Sequence, residues 1–202
     1  MQESLWINDE LNALEDCPIS IYRNYFSQAE ANHFFSLLQE IEWAQNEIVV
    51  FGKKYLEPRE TAWYGNPGVK YSYSGIERES KSWVPFLEEI RKRIQEVTGS
   101  SFNSVLLNRY RDEKDSVAWH ADDEPELGDS PTIASVSFGA SRKFQVRYKN
   151  KRGKIFSIFL HHGDLMIMNP PTQAHYLHCA PKSSKKVSER INLTFRKILE
   201  FG

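Results

Sequence analysis

Two periodicities divide the chain. Ser27-Gln28-Ala29-Glu30 has the form of a capping box, and Phe34, Leu37, Leu38 and Ile41 then recur at helical spacing, which predicts an amphipathic helix over about 28–41. A second helix is expected from Trp83-Val84-Pro85, with Leu87, Ile90, Ile94 and Val97 as its apolar stripe and Gly99 as its stop. From Phe102 onward the period changes. Val105-Leu106-Leu107, Ile133 to Phe138, Phe144 to Tyr148, Ile155 to Leu160, Leu165 to Met168, His175 to His178 and Ile191 to Phe195 are short β-prone runs separated by Gly, Pro, Asn, Asp and Lys. Short strands in series without intervening helical patterns predict a two-sheet sandwich or jelly roll, with the two helices covering one sheet: an α+β chain, mainly β. Between the helices, Ile48 to Tyr55, Thr61 to Gly65 and Tyr71 to Gly75 are extended, aromatic-rich and broken by Gly and Pro. They are expected to form hairpins, either of a lid or binding rim or packed on the sandwich as part of the core.

Composition narrows the class. A length of 202 residues fits one domain, which buries about two-thirds of its unfolded surface. Hydrophobic residues at 40% and charged residues at 26% have the balance of a globule, and no apolar run is long enough to cross a membrane as a helix. The opening Met1-Gln2-Glu3-Ser4 has neither a basic n-region nor an apolar h-region, and Cys17 and Cys179 are too few for a disulfide framework. A cytoplasmic monomer is the expectation. The net charge of −1 conceals a division: residues 1–141 carry 13 Lys/Arg against 24 Asp/Glu, and residues 142–202 carry 13 against 3. The balances of −11 and +10 suggest one basic face able to meet a polyanion.

The candidate chemistry lies in the β region. His120-Ala121-Asp122 offers two ligands at i and i+2, which a strand would turn to one face. Non-haem iron oxygenases use two His and one carboxylate on one face of the metal, leaving open positions. A second histidine has to come from elsewhere, and His161, His162, His175 and His178 are the candidates. Arg190, Asn192, Thr194 and Arg196 alternate with Ile191, Leu193 and Phe195, so two arginines and an amide share one face of a late strand. Such an arrangement is costly unless it meets anions, and a dicarboxylate such as 2-oxoglutarate supplies two. Asn108 and Tyr110 alternate in the same way.

These segments carry a resemblance. Leu107-Asn108-Arg109-Tyr110, His120-Ala121-Asp122-Asp123-Glu124, Ser135-Val136-Ser137-Phe138-Gly139 and Arg190 to Arg196 closely resemble the AlkB family of Fe(II)/2-oxoglutarate-dependent nucleic-acid dealkylating dioxygenases, from about residue 19 onward. The resemblance implies a double-stranded β-helix as the fold. It implies Fe(II) held by His120, Asp122 and His178, with O2 as co-substrate. Arg190 would pair with the distal carboxylate of 2-oxoglutarate, helped by Tyr110 and Asn192, while Arg196 and Asn108 lie near its metal-binding end. It divides the chain into residues 1–100, helices plus a nucleotide-recognition lid over about 46–75, and a catalytic core over 101–202. The implied activity is oxidative demethylation of 1-methyladenine and 3-methylcytosine in DNA, releasing formaldehyde, succinate and CO2.

A base inside a duplex cannot reach such a site, so the substrate is single-stranded DNA, a base flipped from duplex DNA, or RNA. The resemblance assigns the base pocket to Tyr71, Tyr73 and Ser74 with His120. Asp123 and Glu124 favour a cationic methylated base over a neutral one. Val50-Phe51-Gly52-Lys53 resembles the hairpin finger of the animal family member that works on duplex DNA, with Phe51 filling the gap left by the flipped base. Arg152-Gly153-Lys154 resembles that relative's loop to the complementary strand. Phosphate contacts are expected from among Lys53, Lys54, Arg152, Lys154, Lys182, Lys185 and Lys186. The short Tyr148–Ile155 loop suggests a compact bacterial enzyme. Cys179, next to His178, faces away from the metal as a small core residue. Rival readings are an oxygenase of RNA or of a substrate other than nucleic acid, a zinc hydrolase, and a nucleic-acid binder without catalysis. The last leaves the triad and the arginines without a function.

Overall fold

In the computed structural model the described residues are 18–50, 52–73, 76–150 and 155–199. Helix α1 spans Gln28–Gln39, and the capping box is present: Ser27 caps the Glu30 amide while Glu30 reaches back to the Ser27 amide. This satisfies backbone donors that the first helical turn leaves without partners. Helix α2 spans Pro85–Thr98 and ends at Gly99, whose φ of 65° suits a residue without a Cβ. Ala31, Phe34 and Leu38 of α1 and Leu87, Ile90 and Ile94 of α2 are buried. Val97 departs from the expected stripe: it is 37% exposed, one turn past the end of the face that the sheet covers.

Both helices lie on a seven-stranded sheet. Its strands, in spatial order, are β1 (Ile19–Tyr22), β13 (Leu165–Met168), β10 (Ile133–Gly139), β15 (Arg190–Arg196), β8 (Ser104–Tyr110), β4 (Glu60–Gly65) and β7 (Lys81–Ser82). A four-stranded sheet faces it, in the order β12 (Phe156–Leu160), β11 (Arg142–Tyr148), β14 (Tyr176–Ala180) and β9 (Val117–His120). This is the double-stranded β-helix of the expectation, with the helices on the outer face of the larger sheet. Two cores follow from strand alternation. Val105 and Leu107 of β8, Val136 and Phe138 of β10, and Ile191, Leu193 and Phe195 of β15 pack with the helices. Ile133, Val146, Ile158, Met166, Met168 and Tyr176 pack between the sheets. All seven residues of β15 are buried, so its polar alternates point into the sandwich and not into water. No helix among the described residues is long and apolar enough to cross a membrane.

Three local expectations are corrected. Thr61 to Gly65 is not part of a rim: β4 pairs with β8, Thr61 opposite Asn108, and Ala62 and Tyr64 join the helix-covered core. The aromatic density there is core packing. His175 does not begin a strand. It ends a short helix, α3 (Thr172–His175), and the strand starts at Tyr176. Strand β9 ends at His120, so Asp122 lies beyond it and its placement needs contacts other than a strand ladder. The remaining hairpins are as expected: β2 (Glu47–Val50) pairs with β3 (Lys53–Leu56), and β5 (Lys70–Tyr73) with β6 (Ile76–Glu79).

Candidate active site

His178 and His120 are register partners across β14 and β9, which brings their ring centroids to 4.3 Å. Asp122 joins them, and one ligand atom from each of the three residues lies within 4.8 Å of the others. The Nδ1 atom of His120 is 2.9 Å from the Ala118 carbonyl. That carbonyl can only accept, so the proton sits on Nδ1 and the Nε2 lone pair is left for a metal. Asp122 Oδ1 accepts from Arg196 Nη2 at 2.6 Å, whereas Oδ2 is buried without a partner, as is Nδ1 of His178. Unsatisfied buried polar atoms are costly, and a bare carboxylate oxygen on Asp122 beside a free imidazole nitrogen fits a cation. Burial works against ionisation of Asp122, but Arg196, His178 and His120 outweigh it and hold the carboxyl at about 2. Burial and then the neighbouring His120 push His178 down to about 3, so its imidazole is neutral and able to coordinate. Phe144 stacks on the His178 ring at 5.4 Å and fixes its plane.

The inward face of β15 meets that of β8 in a cavity of about 660 Å3, open mouth included, lined among others by Asn108, Tyr110, Arg190, Asn192, Thr194 and Arg196 together with the triad. Arg190 is 3% exposed; its Nη2 donates to Ser137 Oγ at 2.8 Å and Asn192 Oδ1 at 2.9 Å, and its Nε has no partner. Burial lowers its pKa to about 10, still leaving it cationic at neutral pH. No carboxylate forms a salt bridge with it among the described residues. A buried guanidinium without a counter-charge fits an anionic ligand. The two arginines therefore differ: Arg196 meets Asp122 of the triad, and Arg190 retains the unmatched charge. Tyr110 packs its ring 5.4 Å from the Arg190 guanidinium, and Ser135 Oγ donates to Asn192 Oδ1 at 2.8 Å.

Two buried residues of this region were not among the sequence candidates. Arg59 lines the cavity, donates from Nε to Asn108 Oδ1 at 2.8 Å and pairs with Glu57 at 3.0 Å. Gln173 accepts from the Asp122 amide at 3.0 Å. In Glu57-Pro58-Arg59 the only available signal was opposite charges on either side of a proline. For Gln173 there was none.

The two acidic base-pocket candidates separate. Glu124 lines the cavity with Oε2 buried and unpartnered, while Asp123 is 55% exposed and pairs with Lys149 at 2.6 Å. Of the remaining candidates, Tyr71 and Tyr73 lie on β5, and Gly52 at the β2–β3 turn has a φ of 75°. Lys53 is exposed on β3, and Lys182, Lys185 and Lys186 are exposed between β14 and β15. Phe51, Ser74, Arg152, Gly153 and Lys154 fall outside the described residues. Cys179 is buried beside Gln145, with its thiol pushed up to about 11 by burial, as expected of a core residue.

Comparison with known proteins follows the same lines. A family model described as the 2OG-Fe(II) oxygenase superfamily matches residues 18–196. The chain is 46% identical over 189 residues to the DNA oxidative demethylase ALKBH2 of Mus musculus, covering 88% of this chain and 79% of the relative. It is 42% identical over 190 residues to the alpha-ketoglutarate-dependent dioxygenase alkB homolog 3 of Homo sapiens, covering 89% and 66%. Among solved structures, that of OsALKBH1 aligns with a TM-score of 0.67 at 14% identity, covering 90% of this chain and 97% of the other. A 2OG-Fe(II) oxygenase family oxidoreductase from Burkholderia pseudomallei aligns with a TM-score of 0.58 at 12% identity, covering 98% and 95%. At those identities the two structures speak for the fold alone.

Proposed function

The chain belongs to the 2OG-Fe(II) oxygenase superfamily, and from that premise we propose that it oxidatively demethylates N-alkylated bases in DNA, 1-methyladenine and 3-methylcytosine foremost. One observation carries the choice of substrate. Glu124 lines the cavity that holds the triad, and one of its carboxylate oxygens is buried without a partner. A methylated adenine or cytosine that has gained positive charge is stabilised by that oxygen, and a normal neutral base is not. The names of the most similar relatives agree with this reading.

His120, Asp122 and His178 would hold Fe(II), which together with 2-oxoglutarate and O2 would supply oxidation of an N-methyl carbon that no acid–base pair deprotonates at neutral pH. The overall reaction balances as cationic N-methyl base, 2-oxoglutarate and O2 giving restored neutral base, formaldehyde, succinate, CO2 and a proton. Arg190 takes the distal carboxylate of the co-substrate, flanked by Tyr110 and Asn192, with Asn108 and Arg196 toward the opposite end. By occupying Oδ1, Arg196 leaves the second Asp122 oxygen as the one that would meet a metal. Tyr71, Tyr73 and Ser74 hold the base, and Asp123 acts on it only if it exchanges Lys149 for the substrate. Phe51, with Gly52 and Lys53 beside it in sequence, fills the gap in a duplex, and Arg152, Gly153, Lys154, Lys182, Lys185 and Lys186 track phosphates. In this division residues 101–202 form the catalytic core, and the β2–β3 and β5–β6 hairpins form the recognition lid. A reducing cytoplasm suits a chain with two cysteines, one of them a buried thiol.

The test supplies Fe(II), 2-oxoglutarate and a 3-methylcytosine oligonucleotide, single-stranded or duplex, with and without O2. Formaldehyde and cytosine should appear in equal amounts, and only when O2 and 2-oxoglutarate are both present. Succinate without base repair would move the chain to a different substrate, RNA included. F51A should impair duplex repair far more than single-strand repair, since only the duplex leaves a gap to fill.

A further inference from the structure

Asp122 presents a mechanical difficulty. It is a metal ligand, yet β9 ends two residues before it, so no strand ladder fixes its backbone. Arg196 orients one carboxylate oxygen but does not set the position of the Asp122 main chain. The Asp122 amide is buried and donates to Gln173 Oε1 at 3.0 Å, and this side-chain oxygen stands in for the missing ladder acceptor. Gln173 is itself 2% exposed, and its amide nitrogen lies 3.5 Å from the sulfur of Met168, which lines the cavity from β13. Its helix, α3, runs directly into β14, which carries His178 five residues later. One short stretch of chain therefore carries the third ligand and also clamps the second.

We infer that Gln173 is a positioning residue of the metal centre, acting through the Asp122 amide to hold this carboxylate at its distance from His178. The role rests on the Fe(II) site and not on which base is oxidised. Loss of the acceptor leaves a buried N–H unsatisfied and frees the Asp122 backbone to shift, so the triad loses its preorganisation before any metal arrives. A residue that only filled space would leave metal affinity intact when replaced by an apolar side chain of similar size.

The experiment titrates metal-free protein anaerobically with Co(II), a spectroscopic stand-in for Fe(II), and follows the visible bands and the dissociation constant alongside the thermal midpoint of the metal-free protein. Q173L should melt near the parent but bind Co(II) at least about tenfold more weakly, the scale typical of outer partners of metal ligands. H175A, at the exposed end of the same helix, should bind as the parent does. Equal Co(II) affinity of Q173L and the parent overturns the inference, as does an equal loss in H175A. If Q173L does not fold, Q173E, which retains an acceptor oxygen at the same reach, decides the matter. Folding with Co(II) affinity within about threefold of the parent supports the role, because outer-partner losses are larger; failure on either count overturns it. Failure of the parent to bind Co(II) would instead count against the triad.

Discussion

Arg190 shows what a single side chain reveals at each stage. Its charge and its place on the alternating β15 were readable from Arg190-Ile191-Asn192-Leu193-Thr194, because period two fixes a shared face whatever the fold around it. That it lacks a carboxylate while Arg196 has one was not readable, since that depends on which residue lies across the sandwich. The consequence is measurable. A lysine keeps the charge but cannot reproduce a planar two-pronged contact. R190K should raise the 2-oxoglutarate requirement by about tenfold or more, the scale of a lost charge-assisted hydrogen bond, with the protein still folded. Unchanged co-substrate kinetics would remove Arg190 from that role. For the third ligand, residue types alone left four histidines open. The structure separates them: His161 bonds Ser141, His162 bonds Gly139 and Asn32, His175 is exposed, and only His178 faces His120. Arg59 and Gln173 stayed hidden because one lies just before β4 and the other in a four-residue helix, where no periodicity marks a face.

At the scale of elements, the helices and the central strands were legible because capping and alternation are local. The short strands β1 and β9 and the place of β4 were not, since partners far along the chain decide them. The corrected stripe of α2 can be checked directly. I94A removes a fully buried side chain and should cost roughly 2–5 kcal/mol, whereas V97A, outside the covered face, should stay within about 0.5 kcal/mol. Equal costs in chemical denaturation would refute the helix orientation. A second check concerns the end of β10. His162 Nδ1 accepts from the Gly139 amide at 2.8 Å, so its proton sits on Nε2, facing Asn32 of α1 at 3.0 Å. Burial lowers its pKa in the folded protein. Between that lowered value and about 6.5 the unfolded chain binds the proton and the folded one does not. Stability should therefore be full above about pH 6.5 and decline as the pH falls toward the folded value, where a second ring N–H would oppose the Gly139 amide. H162Q should flatten this part of the acid slope in urea midpoints measured between about pH 5 and 7.5. A slope identical to the parent would show that His162 does not contribute to it.

Over the whole molecule, the sequence overstated one property. The +10 balance of residues 142–202 suggested a basic face, but Arg142, Arg190 and Arg196 are buried, and Lys149 is paired with Asp123. Arg142 serves the fold, donating to the carbonyls of Asp112, Asp115 and Pro181 and so tying the loop after β8 to the exit of β14. Composition counts charges without their depth, and the interior of this sandwich requires several. The cations left to meet a polyanion between β14 and β15 are the exposed Lys182, Lys185 and Lys186. If each neutralises one phosphate, each releases counterions and contributes about 0.7 to the salt slope for a single strand. Replacing all three by alanine should then reduce the slope of log Kd against log salt by about 2. The affinities of variant and parent should converge as salt rises, because screening removes what the lysines supply. Succinate formed without DNA should not change, since none of the three lines the cavity. Anisotropy of a labelled methylated oligonucleotide across a salt series measures the slope. A parallel line, weaker by the same factor at every salt concentration, would mean that the lysines shape the loop and do not touch phosphate, leaving Lys53 and Lys54 on the β2–β3 hairpin as the expected phosphate contacts among the described residues.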